Sequence, residues 1–147
     1  MNAKHKKFIT TELIPFILRE EGRGFAMSLW GALNAGTLDV GATACADHIY
    51  RKIPPCGTVA CIGGSVDILR PSRNIGDDKR LAKILGLKLE QVRSLFYGWR
   101  RDKSSNINWP CIFQRRYAAS KTTLGKAKVA VALLEEVVRT NGACLSA

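Results

Sequence analysis

The sequence predicts a mainly α protein. It reads as a basic tail over residues 1–9 and a single compact helical domain over 10–147, with room for a short strand pair near residues 37–53. Three observations predict this. Apolar residues recur at three- and four-residue spacing in four separate stretches. Helix punctuation brackets the later stretches, with Asp77 and Asp78 before one, Gly86 after it, and Asn141-Gly142 after the last. Finally, 147 residues of which 46% are hydrophobic suffice for one core, whereas strand-like alternation is confined to Thr37-Leu38-Asp39-Val40.

The elements follow in chain order. Thr10 or Thr11 is positioned to cap a first helix reaching about Glu21, with Leu13, Ile14, Ile17 and Leu18 as its apolar face and Gly22 as its stop. Pro15 is tolerable there only near the first turn. Phe25 through Trp30 is a short amphipathic piece with Trp30 as a core anchor, and 42–50 is a helical turn or two carrying His48. Further on, Arg70 to Gly76 reads as a loop. Asp77 or Asp78 then caps a helix that buries Leu81, Ala82, Ile84 and Leu85, and Gly86 closes it. A second helix spans about Leu89 to Tyr97, Lys103 to Asn106 is a loop, and a last helix covers Thr123 to Thr140. That last helix buries Leu124, Ala127, Val131, Leu134 and Val138 and pairs Glu135 with Arg139 on its wet side.

The stretch from Pro54 to Leu69 organises the middle of the chain. Two prolines give an extended entry, then Val59, Ile62, Val66 and Leu69 take helical spacing among the small residues Gly57, Ala60, Cys61, Gly63 and Gly64. Two readings of those small residues stand side by side. They permit close helix packing, or Cys56, Gly57 and Thr58 open a helix whose N–H groups and dipole face an anion.

The formal net charge is +11, and its distribution points to an anionic partner. Residues 1–50 carry five basic and five acidic side chains, whereas residues 51–147 carry 18 and 7. Residues 96–117 hold six of the eleven aromatics, interleaved with Arg100, Arg101, Lys103, Arg115 and Arg116. Such a pattern can stack bases and neutralise phosphates, or it can be core aromatics between solvated arginines. The pair of helices around Gly86 fits a helix-turn-helix, in which Lys88, Gln91, Arg93 and Ser94 would face DNA; any tight αα-hairpin shares the same pattern. An acidic mimic of DNA is excluded by the sign of the charge.

Catalysis has a narrow footing. Cys56 could be a nucleophile only with His48 as its base, and no histidine follows Cys56. Five cysteines without a C-x-x-C pair, and two histidines in all, support neither a disulfide framework nor a metal site. Reduced thiols in the cytoplasm, no cofactor and no membrane span are the expectations. Lys4, Lys6 and Lys7 precede an apolar pair interrupted by Thr10, Thr11 and Glu12, which is not a signal peptide.

Several islands together resemble a family of small bacterial and bacteriophage proteins with no established activity. They are Phe25-x-Met27-x-x-Trp30, Cys56-Gly57-Thr58-Val59-Ala60-Cys61-Ile62-x-Gly64, Leu85-Gly86-Leu87-x-x-x-Gln91-x-x-x-Leu95-Phe96-Tyr97, and Trp109-Pro110 with Arg116-Tyr117, ahead of a closing apolar helix. The chain departs from that pattern by an insertion over 34–52, by Lys88 where Thr or Ser is usual, and by Gly63 where alanine is usual. The resemblance implies an accessory protein of a phage or mobile element in a bacterial cell, acting as a blocker or sequestering factor against host defence. The sequence therefore leads to a non-enzymatic binder of a nucleotide or nucleic acid. A DNA-binding regulator, an inhibitor of an acidic host protein and a Cys56 thiol enzyme are the alternatives.

Overall fold

A computed structural model describes residues 1–22, 25, 27, 32–33, 38–39, 58–59, 61–99 and 107–145. Its first element begins where the sequence suggested a tail. Asn2 caps helix α1 (Ala3–Phe8) by accepting from the His5 N–H, while His5 Nδ1 accepts from the Asn2 N–H at 3.2 Å. The chain then continues helically through a π-helical turn, Ile9–Leu13, into α2 (Ile14–Ile17) and a 3-10 turn, Arg19–Gly22. Phe8, Ile9, Leu13 and Ile17 are buried, so residues 1–9 are an integral part of the fold.

The π turn has a local cause. Pro15 has no N–H, and its ring crowds the carbonyl four residues earlier; widening the helix by one residue relieves that conflict. Ile14 N–H accordingly donates to Ile9 O, five residues back. Thr10 and Thr11 do not cap a helix as expected. They lie inside it, and their hydroxyls donate to Lys6 O and Lys7 O at 2.9 and 2.7 Å.

Three two-residue strands follow, β1 (Ala32–Leu33), β2 (Leu38–Asp39) and β3 (Thr58–Val59), antiparallel in the order β2-β1-β3. Leu38–Asp39 is thus a strand, but its partner is Ala32–Leu33, upstream of the 37–53 window. The described fold is otherwise mainly α. Helix α3 (Ile62–Leu69) leads through a loop to α4 (Asp78–Leu85) and α5 (Leu89–Tyr97); α6 (Cys111–Ala119), which the sequence reading did not anticipate, precedes the long α7 (Thr123–Thr140). Asp77, Thr122 and the left-handed Gly86 and Asn141 cap these helices. Helix α7 packs against α6, α2, the 3-10 turn Arg19–Gly22 and a closing 3-10 turn, Ala143–Leu145, and its Ala127, Ala130, Leu133, Leu134 and Val137 are buried. Arg139 pairs with Glu136 rather than with Glu135.

Gly86 joins the first half of the chain to the αα-hairpin. Its φ of 65° is left-handed, and an added Cβ would overlap the His5 ring. Gly98 plays a similar part at the far end of α5, where a Cβ would lie 2.7 Å from the backbone of Asn108 and Trp109. Trp109, 2% exposed, donates its indole N–H to Leu95 O at 2.9 Å, and Gln114 Nε2 donates to Gly98 O at 2.8 Å. Both side chains thereby satisfy carbonyls at the C-terminal end of α5.

Asp67 is the one acidic side chain buried among the described residues. It accepts from Arg80 Nη1 at 2.6 Å and from the Gly76 N–H at 2.9 Å, and Arg80 Nη2 also donates to Arg70 O. The Asp67 side chain is fully buried, whereas that of Arg80 is 20% exposed.

Two predictions follow from these contacts. Arg80→Met strands a fully buried carboxylate and should cost about 3–5 kcal/mol, whereas Asp67→Asn leaves a guanidinium that can reach water and should cost less. Urea melts read both, and equal or reversed costs would refute the assignment. Gly86→Ala should cost about 1–2 kcal/mol from the left-handed backbone alone. It should also loosen the Asn2–His5 cap, so adding His5→Ala should make the two substitutions non-additive in the same melts.

Candidate anion-binding site

The helix start proposed at Cys56–Thr58 is displaced. Thr58 lies in β3, and α3 begins at Ile62 with Cys61 as its N-cap, its Sγ accepting from the Gly64 N–H at 3.3 Å. Cys61, Ile62, Gly63 and Gly64 are buried, and the Ser65 N–H and hydroxyl both donate to Cys61 O. The small residues therefore bring helix backbone into the core, and the end of α3 offers no open cradle to an anion. Burial pushes the Cys61 thiol up to about 12, overriding the downward pull of the Gly64 and Gly63 N–H groups. Cys56, Gly57 and His48 lie outside the described residues, as do Arg100 and Arg101.

The helix-turn-helix assignment meets a packing constraint. The hairpin is present, with a left-handed Gly86 between α4 and α5. Gln91 and Ser94, expected to read bases, are 8% and 4% exposed. Gln91 is also committed on both sides of its amide: Oε1 accepts from the Lys88 N–H at 2.9 Å, and Nε2 donates to Gly142 O at 2.9 Å. That backbone contact serves the start of α5, where Lys88 provides no side-chain cap. Only Glu90, Arg93 and Tyr97 form an exposed stripe on α5, and Arg93 and the Tyr97 hydroxyl both engage Asp78. Helix α5 is a core helix, so it does not present the expected reading face.

The aromatic segment likewise turns inward. Trp99, Trp109 and Tyr117 form an edge-to-face cluster, with Trp109 and Tyr117 centroids 5.4 Å apart. The Tyr117 hydroxyl accepts from the Met27 N–H. Arg115 and Arg116 stand exposed on α6 beside Ile112, which is 60% exposed.

The concave basic feature of the described structure lies elsewhere. Lys4, His5, Lys7, Phe8, Glu12, Arg70, Lys83 and Ile84 line a pocket of about 480 Å³ where α1 meets the end of α3 and α4. Arg70 donates from Nη1 and Nη2 to the two carboxylate oxygens of Glu12, at 2.8 and 2.9 Å, and its guanidinium lies 4.5 Å from the centroid of the Phe8 ring. That double hydrogen bond, helped by Lys7, holds the Glu12 carboxyl below the usual carboxylate range, and Glu12 raises Arg70 in return. A depressed carboxylate contributes its stability at neutral pH and loses it as pH falls through the depressed value. Lys4 and Lys83 have no ion-pair partner among the described residues. Four cationic side chains and a single carboxylate thus line a hollow together with the apolar Phe8 and Ile84.

None of these residues was singled out as a site in the sequence. The signal existed for α1: Asn2 stands three residues before His5, and Ile9, Leu13 and Ile17 continue one helical face. No local signal joins Lys83 or Arg70 to it, because that proximity is tertiary. A second hollow of about 480 Å³, next to Gly86 and Asn141, carries one charged side chain, Lys88. Among the described residues no three His, Cys, Asp or Glu side chains gather as a metal site, and no helix is long and apolar enough to cross a membrane. The chain matches no protein-family model, no curated protein and no solved structure.

Thiol chemistry gives a direct check. In the native protein a maleimide at neutral pH should label exposed Cys111 and leave Cys61 unlabelled until the chain unfolds, as peptide mass mapping would read. Cys61 stays protonated in the fold and ionises in the unfolded chain, so its contribution to stability should fall as pH rises above the ordinary thiol value toward 12. Rapid native labelling of Cys61 would refute its burial.

Proposed function

We propose that this protein is a non-enzymatic binder of an anionic ligand, which it takes in the pocket lined by Lys4, Lys7, Arg70 and Lys83. The observation that carries the reading is the charge imbalance of that concave surface: four cations face one carboxylate, and Glu12 is already engaged by Arg70. Concave surfaces of one sign concentrate field lines and counter-ions, and the net charge of +11 adds a long-range attraction. Within the mobile-element setting that the motif resemblance implies, such a binder would sequester a nucleotide signal or cover a nucleic acid, and so blunt a host defence. Protein inhibition is a second reading, favoured by the solvent-facing Ile112 beside Arg115 and Arg116 on α6, a combination suited to an acidic partner.

A thermal-shift panel tests the first reading with duplex DNA, single-stranded RNA and a set of nucleotides. A ligand at about a hundred times its Kd should add roughly 2.7 kcal/mol to stability. The shift should shrink with salt, steeply for a polymer and shallowly for a nucleotide. Lys7→Glu with Lys83→Glu should abolish it while leaving the helical circular dichroism intact. No shift with any of these anions would sink the reading; a shift that survives the double reversal would move the site off this pocket.

A further inference from the structure

We infer that the pocket takes a compact organic phosphate bearing a planar ring, and that Glu12 is an intramolecular competitor for the place of the phosphate on Arg70. The inference rests on the anion-binding reading and narrows it to one ligand class.

The lining is mixed in chemistry. A site for a bare polyanion needs only a row of cations. Here Phe8 and Ile84 line the pocket together with Lys4, Lys7 and Lys83, so the lining carries apolar surface as well as charge. Its volume of about 480 Å³ lies within the range of small-molecule sites. The Arg70 guanidinium is planar and its carbon lies over the Phe8 ring, 4.5 Å from the centroid. Its side chain is 43% exposed, so solvent-accessible guanidinium remains for a ligand to meet. Arginine stacks on aromatic rings in this way while its edge still donates hydrogen bonds.

The Glu12 carboxylate meets the guanidinium edge with two parallel hydrogen bonds, the arrangement that phosphate oxygens also make with arginine. Glu12 is 42% exposed, so releasing it to water carries little desolvation cost, and exposed ion pairs of this kind are weak. A phosphate monoester carries between one and two negative charges at neutral pH and three acceptor oxygens. It has oxygens for Arg70 and for Lys7 or Lys83 at once, whereas both oxygens of the Glu12 carboxylate, in the π turn Ile9–Leu13, are taken by Arg70. Exchange therefore favours the phosphate. Glu12 then swings to solvent, and its charge continues to oppose the bound anion.

Isothermal titration of the full chain tests this with adenosine 5′-monophosphate, methyl phosphate and adenosine as probes. Adenosine 5′-monophosphate should bind at least about tenfold more tightly than either fragment, since it alone combines ring burial with charge. Glu12→Gln should tighten it by about threefold to fivefold, the scale of an exposed charge pair, and leave adenosine unchanged. Lys83→Met should weaken it. Both positions are exposed, and melting curves would verify the fold of each variant. Methyl phosphate binding as tightly as the nucleotide, with both weakened by Lys83→Met, would overturn the ring-bearing class and leave the anion-binding pocket standing. Weaker or unchanged nucleotide binding in Glu12→Gln would overturn the competitor role. If none of the three probes bound while single-stranded RNA gave a thermal shift, the compact-ligand inference would fall while the anionic-partner reading survived. No binding of any anion would end both.

Discussion

A buried carboxylate holds the middle of this protein together. Asp67 sits on α3 with its side chain fully removed from water, and a charge in that position persists only if it is paired and hydrogen-bonded. Arg80 and the Gly76 N–H meet that requirement from the far side of the α3–α4 loop. The same Arg80 donates to Arg70 O, so the residue that closes α3 is fixed by the group that neutralises Asp67. Arg70 then projects toward Phe8 and Glu12 on the N-terminal helix. A chain of contacts therefore leads from a core charge to the pocket rim, and the position of the guanidinium there depends on an ion pair removed from the surface.

How much of this was legible in the sequence varies with the range of the interactions. Helix α7 runs from Thr123 to Thr140 as its spacing and its Asn141-Gly142 ending indicate, and α4 and α5 sit where Asp77 and Gly86 place them. In each case the caps and the apolar periodicity are local and agree. Helix α6 was missed because its buried face is narrow: only Gln114 and Tyr117 are buried, and much of its anchoring is the Gln114 amide on Gly98. The N-terminal helix was read as a tail because Lys4, Lys6 and Lys7 dominate its composition, whereas Phe8 and Ile9 decide its fate by burial. The candidate site was illegible for a further reason. Lys4, Arg70 and Lys83 belong to three elements, and no spacing rule joins them.

The αα-hairpin illustrates how a pattern can be right in geometry and silent about use. The glycine, the turn and the apolar positions of a helix-turn-helix are those of any hairpin that must bury both helices. What separates a reader of DNA from a scaffold is the outward face of the second helix. Here Gln91 ties the hairpin to Gly142, Ser94 is buried, and the C-terminal end of α5 is covered by Trp109 and Gln114. Helix α5 is enclosed at its end and along most of its surface. Its burial seats α4 against α5, and α4 carries Lys83 and Ile84 beside α1.

On the proposed function, Glu12 stands at the point where stability and anion binding pull in opposite directions. Gathering Lys4, Lys7, Arg70 and Lys83 around one hollow raises the electrostatic energy of the fold, because like charges brought together oppose the seating of α1 on α4. One carboxylate among them lowers that repulsion and links α1's continuation to the end of α3. A neutral residue at position 12 would leave the pocket more attractive to an anion and the N-terminal helix less firmly held. Lys4, Lys7, Phe8 and Glu12 make the N-terminal helical segment, with its capping box at Asn2 and its π turn over Ile9–Leu13, a wall of the pocket, and on the proposed function Glu12 is the group an anion would compete with.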